Sequence, residues 1–178
     1  DDGVGMRVGR ILMKSDLGQH IDVQMRPALG LDLLDLLVEV DRVVLVDAMS
    51  TGREPGQCVS LDVSETVSSC QSGACAHSYG VAEVVEIARQ LDPSVSSSTI
   101  RIVGIEALVL DQFGTALSDP VRNAIPEAVA LSLKEAGASQ EQIRRAVQLA
   151  RESMNWSPSR EDLAKQLPSS SHHEQSPS

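Results

Sequence analysis

Apolar and polar positions follow two different periods along this chain. Between residues 4 and 13, Val4, Val8, Ile11 and Leu12 fall on one stripe, the spacing of an amphipathic helix. Gly18 ends that pattern. Ile21-Asp22-Val23-Gln24-Met25 then alternates strictly, as a short strand does. Pro27 and Gly30 punctuate, and residues 31–40 read as a Leu-rich helix. Arg42-Val43-Val44-Leu45-Val46-Asp47 is a continuous apolar run closed by a carboxylate, the signature of an interior parallel strand covered on both faces. Residues 57–63 alternate again, which predicts a strand with one polar face. Residues 64–76 are rich in serine and small side chains and read as loop. Residues 81–91 carry Val81, Val84, Val85 and Ala88 at helical spacing, and residues 99–105 form a further apolar strand.

Asp119-Pro120 opens another helix, with Asp as the cap and Pro at the first helical position; Gly137 ends it. Ser139 and Gln142 have capping-box spacing for a last helix running to residue 154. Beyond residue 157, Pro, Ser, Gln and charged residues dominate, so residues 157–178 are expected to be a disordered tail behind one domain of residues 1–156. Helices alternating with apolar strands imply a three-layer α/β/α sandwich around a mixed, mostly parallel sheet. In such folds ligands gather at the carboxyl ends of the strands.

Composition narrows the function. The chain has 178 residues, 42% apolar and 22% charged, ordinary for a single globular domain. Only 2% are aromatic, so Leu, Val, Ile and Ala must build the core. A net charge of −10 argues against a nucleic-acid partner, which needs a basic face. No apolar run approaches the roughly 18–20 residues of a membrane span. Cys58, Cys70 and Cys75 are odd in number and lack a disulfide framework, which points to a reduced, cytoplasmic compartment.

Three features can carry chemistry: Asp1-Asp2-Gly3-Val4-Gly5 before a helix, Val46-Asp47-Ala48 at a strand end, and His77 ahead of a helix. Two carboxylates and one imidazole make a three-ligand site with open positions, suited to Zn²⁺ or Ni²⁺. Taken singly, each has a plainer reading: a helix cap, a turn residue, a surface histidine. Cys70 and Cys75 near His77 add thiols that read as loop residues, and His172 and His173 belong to the tail. Glu83 and Glu86 suit a solvated helix face, whereas Glu106 at a strand end is a candidate substrate contact. There is no His-Glu-x-x-His motif and no Gly-x-Ser-x-Gly elbow.

The order of these pieces resembles the hydrogenase maturation endopeptidases. The match rests on Asp-Asp-Gly-Val-Gly before a helix, Val-Asp-Ala ending a strand some forty residues on, and a His opening the next helix. Gly30-Leu31-Asp32-Leu33-Leu34, Pro55-Gly56, Gly104-Ile105-Glu106 and the Leu-Ser-x-x-Val pattern from Leu117 extend it, so it covers residues 1 to about 137. The resemblance implies a five-stranded fold with one antiparallel strand, for which residues 57–63 are the candidate. The family's first strand and its Gly-Asn turn, which precede Asp-Asp-Gly, are not found in this sequence.

It also implies that Asp2, Asp47 and His77 act as metal ligands and catalytic residues. They would recognise nickel borne by the substrate, or another divalent metal in the isolated protein. The implied partner is the hydrogenase large-subunit precursor, cut at its C-terminus by a monomeric protease once nickel is in place. The rival expectation is a non-enzymatic nickel-binding accessory protein of hydrogenase assembly. A nucleotide-binding domain is disfavoured, because Gly3-Val4-Gly5 lacks the remaining glycine spacing of that fingerprint.

Overall fold

A computed structural model of the chain describes residues 1–26, 33–37, 40–63, 84–87, 90, 100–109 and 116–155. Helix α1 (Val4–Lys14) buries the stripe expected of it, Val4, Val8, Ile11 and Leu12. Ser15 ends it with its hydroxyl on the Ile11 carbonyl, and Gly18 turns the chain at φ +72°. Residues 21–26 do not form the strand that their alternation suggested. Ile21, Val23 and Met25 are half-buried and Asp22, Gln24 and Arg26 exposed, so the two-residue period survives without a ladder. Gln24 instead bonds to Asp22 and Arg26 to Gln24 along the outer side. Alternation records which side faces the core; it does not supply a hydrogen-bonding neighbour.

Helix α2 (Leu33–Leu36) is what is described of the Leu-rich helix. Strand β1 (Val43–Met49) follows, then β2 (Cys58–Asp62) and β3 (Ile100–Glu106). Among the described residues the sheet has the order β1-β3-β2. β1 pairs parallel with β3, from Val43↔Ile100 to Met49↔Glu106. β2 pairs antiparallel with β3, from Cys58↔Ile105 to Asp62↔Arg101, as expected for the antiparallel strand. The central, buried strand is β3, whereas β1 lies at one side of this described sheet with half-buried residues. The continuous apolar run therefore correctly marks a parallel strand, but β1 is not covered as fully as an interior one.

Side chains divide the sheet between two cores. Val46, Ala48, Cys58 and Ile105 pack with α1, helix α3 (Asp119–Glu135) and helix α4 (Gln140–Asn155). Val43, Leu45, Ile100 and Ile102 pack with Leu33, Leu37, Val84 and Val85 on the opposite side, where residues 84–87 are helical. This is a three-layer α/β/α arrangement. Ser139 and Gln142 exchange the reciprocal capping-box bonds at the start of α4. At the other end of α3, the Arg42 guanidinium donates to the Glu135 carbonyl, a cation against a helix C-terminus that ties α3 to the start of β1. Among the described residues no helix is long and apolar enough to cross a membrane. The expected tail, from residue 157 on, lies outside the described residues.

Candidate active site at the strand ends

The carboxyl ends of β1 and β3 lie side by side, with Asp47 opposite Gly104 and Met49 opposite Glu106. Helix α1 meets the same end of the sheet. A Cβ placed on Gly5 would stand 3.3 Å from the Val46 carbonyl carbon and 3.5 Å from Asp47 Cα. Only a glycine lets the helix backbone rest directly on the strand there. Two expected site residues thus lie toward one end of the fold: Asp47 two residues before the end of β1, and Asp2 three residues before that contact. Asp47 Oδ1 accepts a 2.8 Å bond from the Ala48 amide, which orients the carboxylate at the strand end. Asp2 is exposed. His77 lies outside the described residues, as do Cys70, Cys75, Glu83, His172 and His173. Among the described residues no trio of His, Cys, Asp or Glu gathers closely enough to hold a metal ion.

Two further carboxylates at this end are buried and saturated with donors. Glu106 is 2% exposed. Its Oε1 accepts from the backbone amides of Thr51, Gly52 and Arg53 at 2.7, 2.9 and 3.2 Å, and its Oε2 from the Thr51 hydroxyl at 2.8 Å. It therefore turns inward and shapes the loop that follows Asp47, rather than facing a substrate. Its own amide and carbonyl pair with Gln57 and Gly56, which fastens the end of that loop to β3. Asp1 is 8% exposed and accepts four bonds, from Leu108, Val109 and Ser118.

Neither role had a local signature in the sequence. The available signal for Asp1 was its place beside Asp2; for its partner it was Ser118 within the Leu-Ser-x-x-Val pattern. Ser118 also alters the reading of α3. It, not Asp119, is the N-cap residue, Pro120 comes second in the helix, and the Ser118 hydroxyl makes no capping bond to α3. That hydroxyl is committed to Asp1. Elsewhere in the sheet, burial and the nearby Glu127 carboxylate push the Cys58 thiol up to about 12, so it stays protonated.

Comparison with known proteins gives concordant matches. The hydrogenase maturation protease family model matches residues 27–135. Over 136 residues the chain is 26% identical to the hydrogenase expression/formation protein HupD of Rhizobium leguminosarum bv. viciae, an alignment covering 75% of this chain and 66% of that relative. The chain thus spans just under two thirds of HupD's length. Among solved structures, the hydrogenase maturating endopeptidase HybD from E. coli superposes with a TM-score of 0.66 at 20% identity, over 78% of this chain and 86% of that one. At that identity the likeness establishes the fold. The NiFe hydrogenase maturation protease HybD from Thermococcus kodakarensis superposes with a TM-score of 0.60 at 28% identity, over 76% and 89%.

Proposed function

Because the chain belongs to the hydrogenase maturation protease family, we propose that it is an endopeptidase that removes the C-terminal extension of a nickel–iron hydrogenase large-subunit precursor after nickel insertion. The observation that carries this reading is the close contact of α1 at Gly5 with Val46 and Asp47, which sets the helix that Asp2 precedes against the carboxyl end of β1. Asp2, Asp47 and His77 supply two carboxylates and an imidazole, a donor set suited to a borderline divalent metal. The metal arrives as part of the substrate. The three side chains read its presence and hold the precursor so that the scissile peptide lies at the mouth of the site. Hydrolysis consumes one water and leaves a new C-terminal carboxylate on the large subunit and a free amine on the released peptide. Metal held beside the scissile carbonyl would polarise it. On this reading the protein works as a monomer in the cytoplasm, where the precursor is assembled.

The family match supports the protease over an accessory protein that only carries nickel. The decisive assay incubates the purified protein with nickel-loaded and nickel-free precursor and follows the large subunit by intact mass. The proposal expects loss of the C-terminal extension from the loaded form alone. Binding without cleavage would leave the accessory role, and equal cleavage of both forms would remove nickel as the signal.

A further inference from the structure

Two neighbouring acids open this chain, and the structure treats them oppositely. Asp2 is exposed, whereas Asp1 is buried to 8% exposure. The Asp1 carboxylate receives four donors. Oδ2 takes the amides of Leu108 and Val109 at 3.0 and 3.1 Å and the Ser118 hydroxyl at 2.8 Å. Oδ1 takes the Ser118 amide at 2.6 Å. Bonds from amides to an ionised carboxylate are about twice as strong as neutral ones. These four join three segments distant in sequence: the start of α1, the turn just past β3, and the N-cap of α3.

The clamp also fixes one end of a short span. Its other end is Gly5, which rests on Val46 and Asp47 with no room for a Cβ. Between them the Val4 amide donates to the Asp1 carbonyl at 3.1 Å and the Arg7 amide to Gly3 at 3.1 Å, so the backbone is already committed to the first helical turn. Asp2 is therefore carried on a segment held at both ends, while its own side chain faces outward. A metal site loses affinity and rate when its ligands wander, and outer residues that fix them are part of its design.

We propose that Asp1 is a positioning residue of the site: its carboxylate does not meet the metal but fixes the segment that carries Asp2 ahead of the contact between α1 and the strand of Asp47. The proposal rests on the reading of Asp2 as a ligand given above. It makes a sharp chemical demand. Both oxygens of Asp1 face N–H groups, so an asparagine must turn its NH₂ either on Ser118 or on Leu108 and Val109. Donor meets donor in either orientation. Asp1→Asn is thus a disruptive change, despite being nearly isosteric.

The test measures processing of nickel-loaded precursor per folded molecule, well below the unfolding transition, for Asp1→Asn, Asp2→Asn and the double variant. Normalising to folded protein removes any effect that acts through stability alone. Asp1→Asn is expected to lower the rate at least about tenfold, and Asp2→Asn at least as much. The double variant is expected to process no more than about twofold slower than Asp2→Asn, because Asp1 acts only through Asp2. Wild-type processing by Asp1→Asn beside an impaired Asp2→Asn overturns the proposal and leaves the site reading standing. Multiplied losses in the double variant also overturn it, since Asp1 would then act independently of Asp2. Wild-type processing by Asp2→Asn removes the ligand itself, and the proposal with it. Should Asp1→Asn fail to fold, Ser118→Ala withdraws one donor of the four; a drop of a few fold per folded molecule supports the clamp, and an unchanged rate overturns it.

Discussion

Replacing Gly5 by alanine tests whether α1 presses on the strand that carries Asp47. The new Cβ would lie 3.3 Å from the Val46 carbonyl carbon and under 3.0 Å from its oxygen. Carbon and carbonyl oxygen ordinarily approach no closer than about 3.3 Å. The obstacle is backbone on both sides, so no rotamer change relieves it, and α1 must retreat by on the order of 1 Å. Overpacking of this kind costs about 1–3 kcal/mol. Alanine returns up to about 1 kcal/mol in helix propensity, less in the first turn. The net loss should be about 1–2 kcal/mol, or about 3–6 °C in melting temperature for a chain of this size. The functional loss should exceed that, because a 1 Å misplacement can cost about a hundredfold in rate. Gly3→Ala is the internal control: its Cβ would meet nothing within 4 Å. Differential scanning calorimetry and precursor processing, measured on both variants while they remain folded, give the answer. If Gly5→Ala melts and processes like Gly3→Ala, the α1–β1 contact does not set the site.

Glu106→Ala leaves four donors around Thr51, Gly52 and Arg53 unpaired. It should lower stability to urea by about 2–4 kcal/mol. Glu106→Gln should cost under about 1 kcal/mol, because its carbonyl can accept the three amides while its NH₂ faces a hydroxyl able to accept. Equal losses in the two variants would contradict this geometry. Cys58 gives a pH dependence. Its folded value, about 12, lies above its ordinary 9.0. The stabilisation is therefore complete below pH 9 and is lost as pH rises from 9 through 12. Urea midpoints of Cys58→Ser should fall less steeply than those of the parent across that window, and parallel curves would show that the thiol is not protected.

Much of the fold was legible because its elements carry local periodicity. The α1 stripe, strand β2 and the capping box at Ser139 all lie where pattern put them, and the antiparallel direction of β2 is the one the family resemblance implied. The failures share one physical origin: pattern encodes facing, while partners are chosen by the assembled chain. Ile21-Asp22-Val23-Gln24-Met25 faces the core alternately without a ladder. The apolar run of β1 marks a parallel strand but not how completely it is covered. Asp2 and Asp47 were singled out through family-like motifs, and Gly5 sets the helix that follows Asp2 against the strand that carries Asp47. The inward turn of Glu106 and the clamp at Asp1 were not. Their bonds span about 55 to 117 residues of sequence, and nothing local in either carboxylate announces them.

The central claim is that Asp2, Asp47 and His77 read substrate-borne nickel, and Asp47→Asn tests it most directly. The amide preserves the shape and removes the charge, and Asp47 belongs to a strand whose pairing with β3 does not depend on its side chain. The measurement is the initial rate at which nickel-loaded precursor loses its C-terminal extension, by parent and variant matched for folded fraction by circular dichroism. A loss of at least about tenfold, equivalent to about 1.4 kcal/mol of transition-state stabilisation, is the predicted result. A folded Asp47→Asn that processes the loaded precursor at the parental rate would contradict the account at its centre.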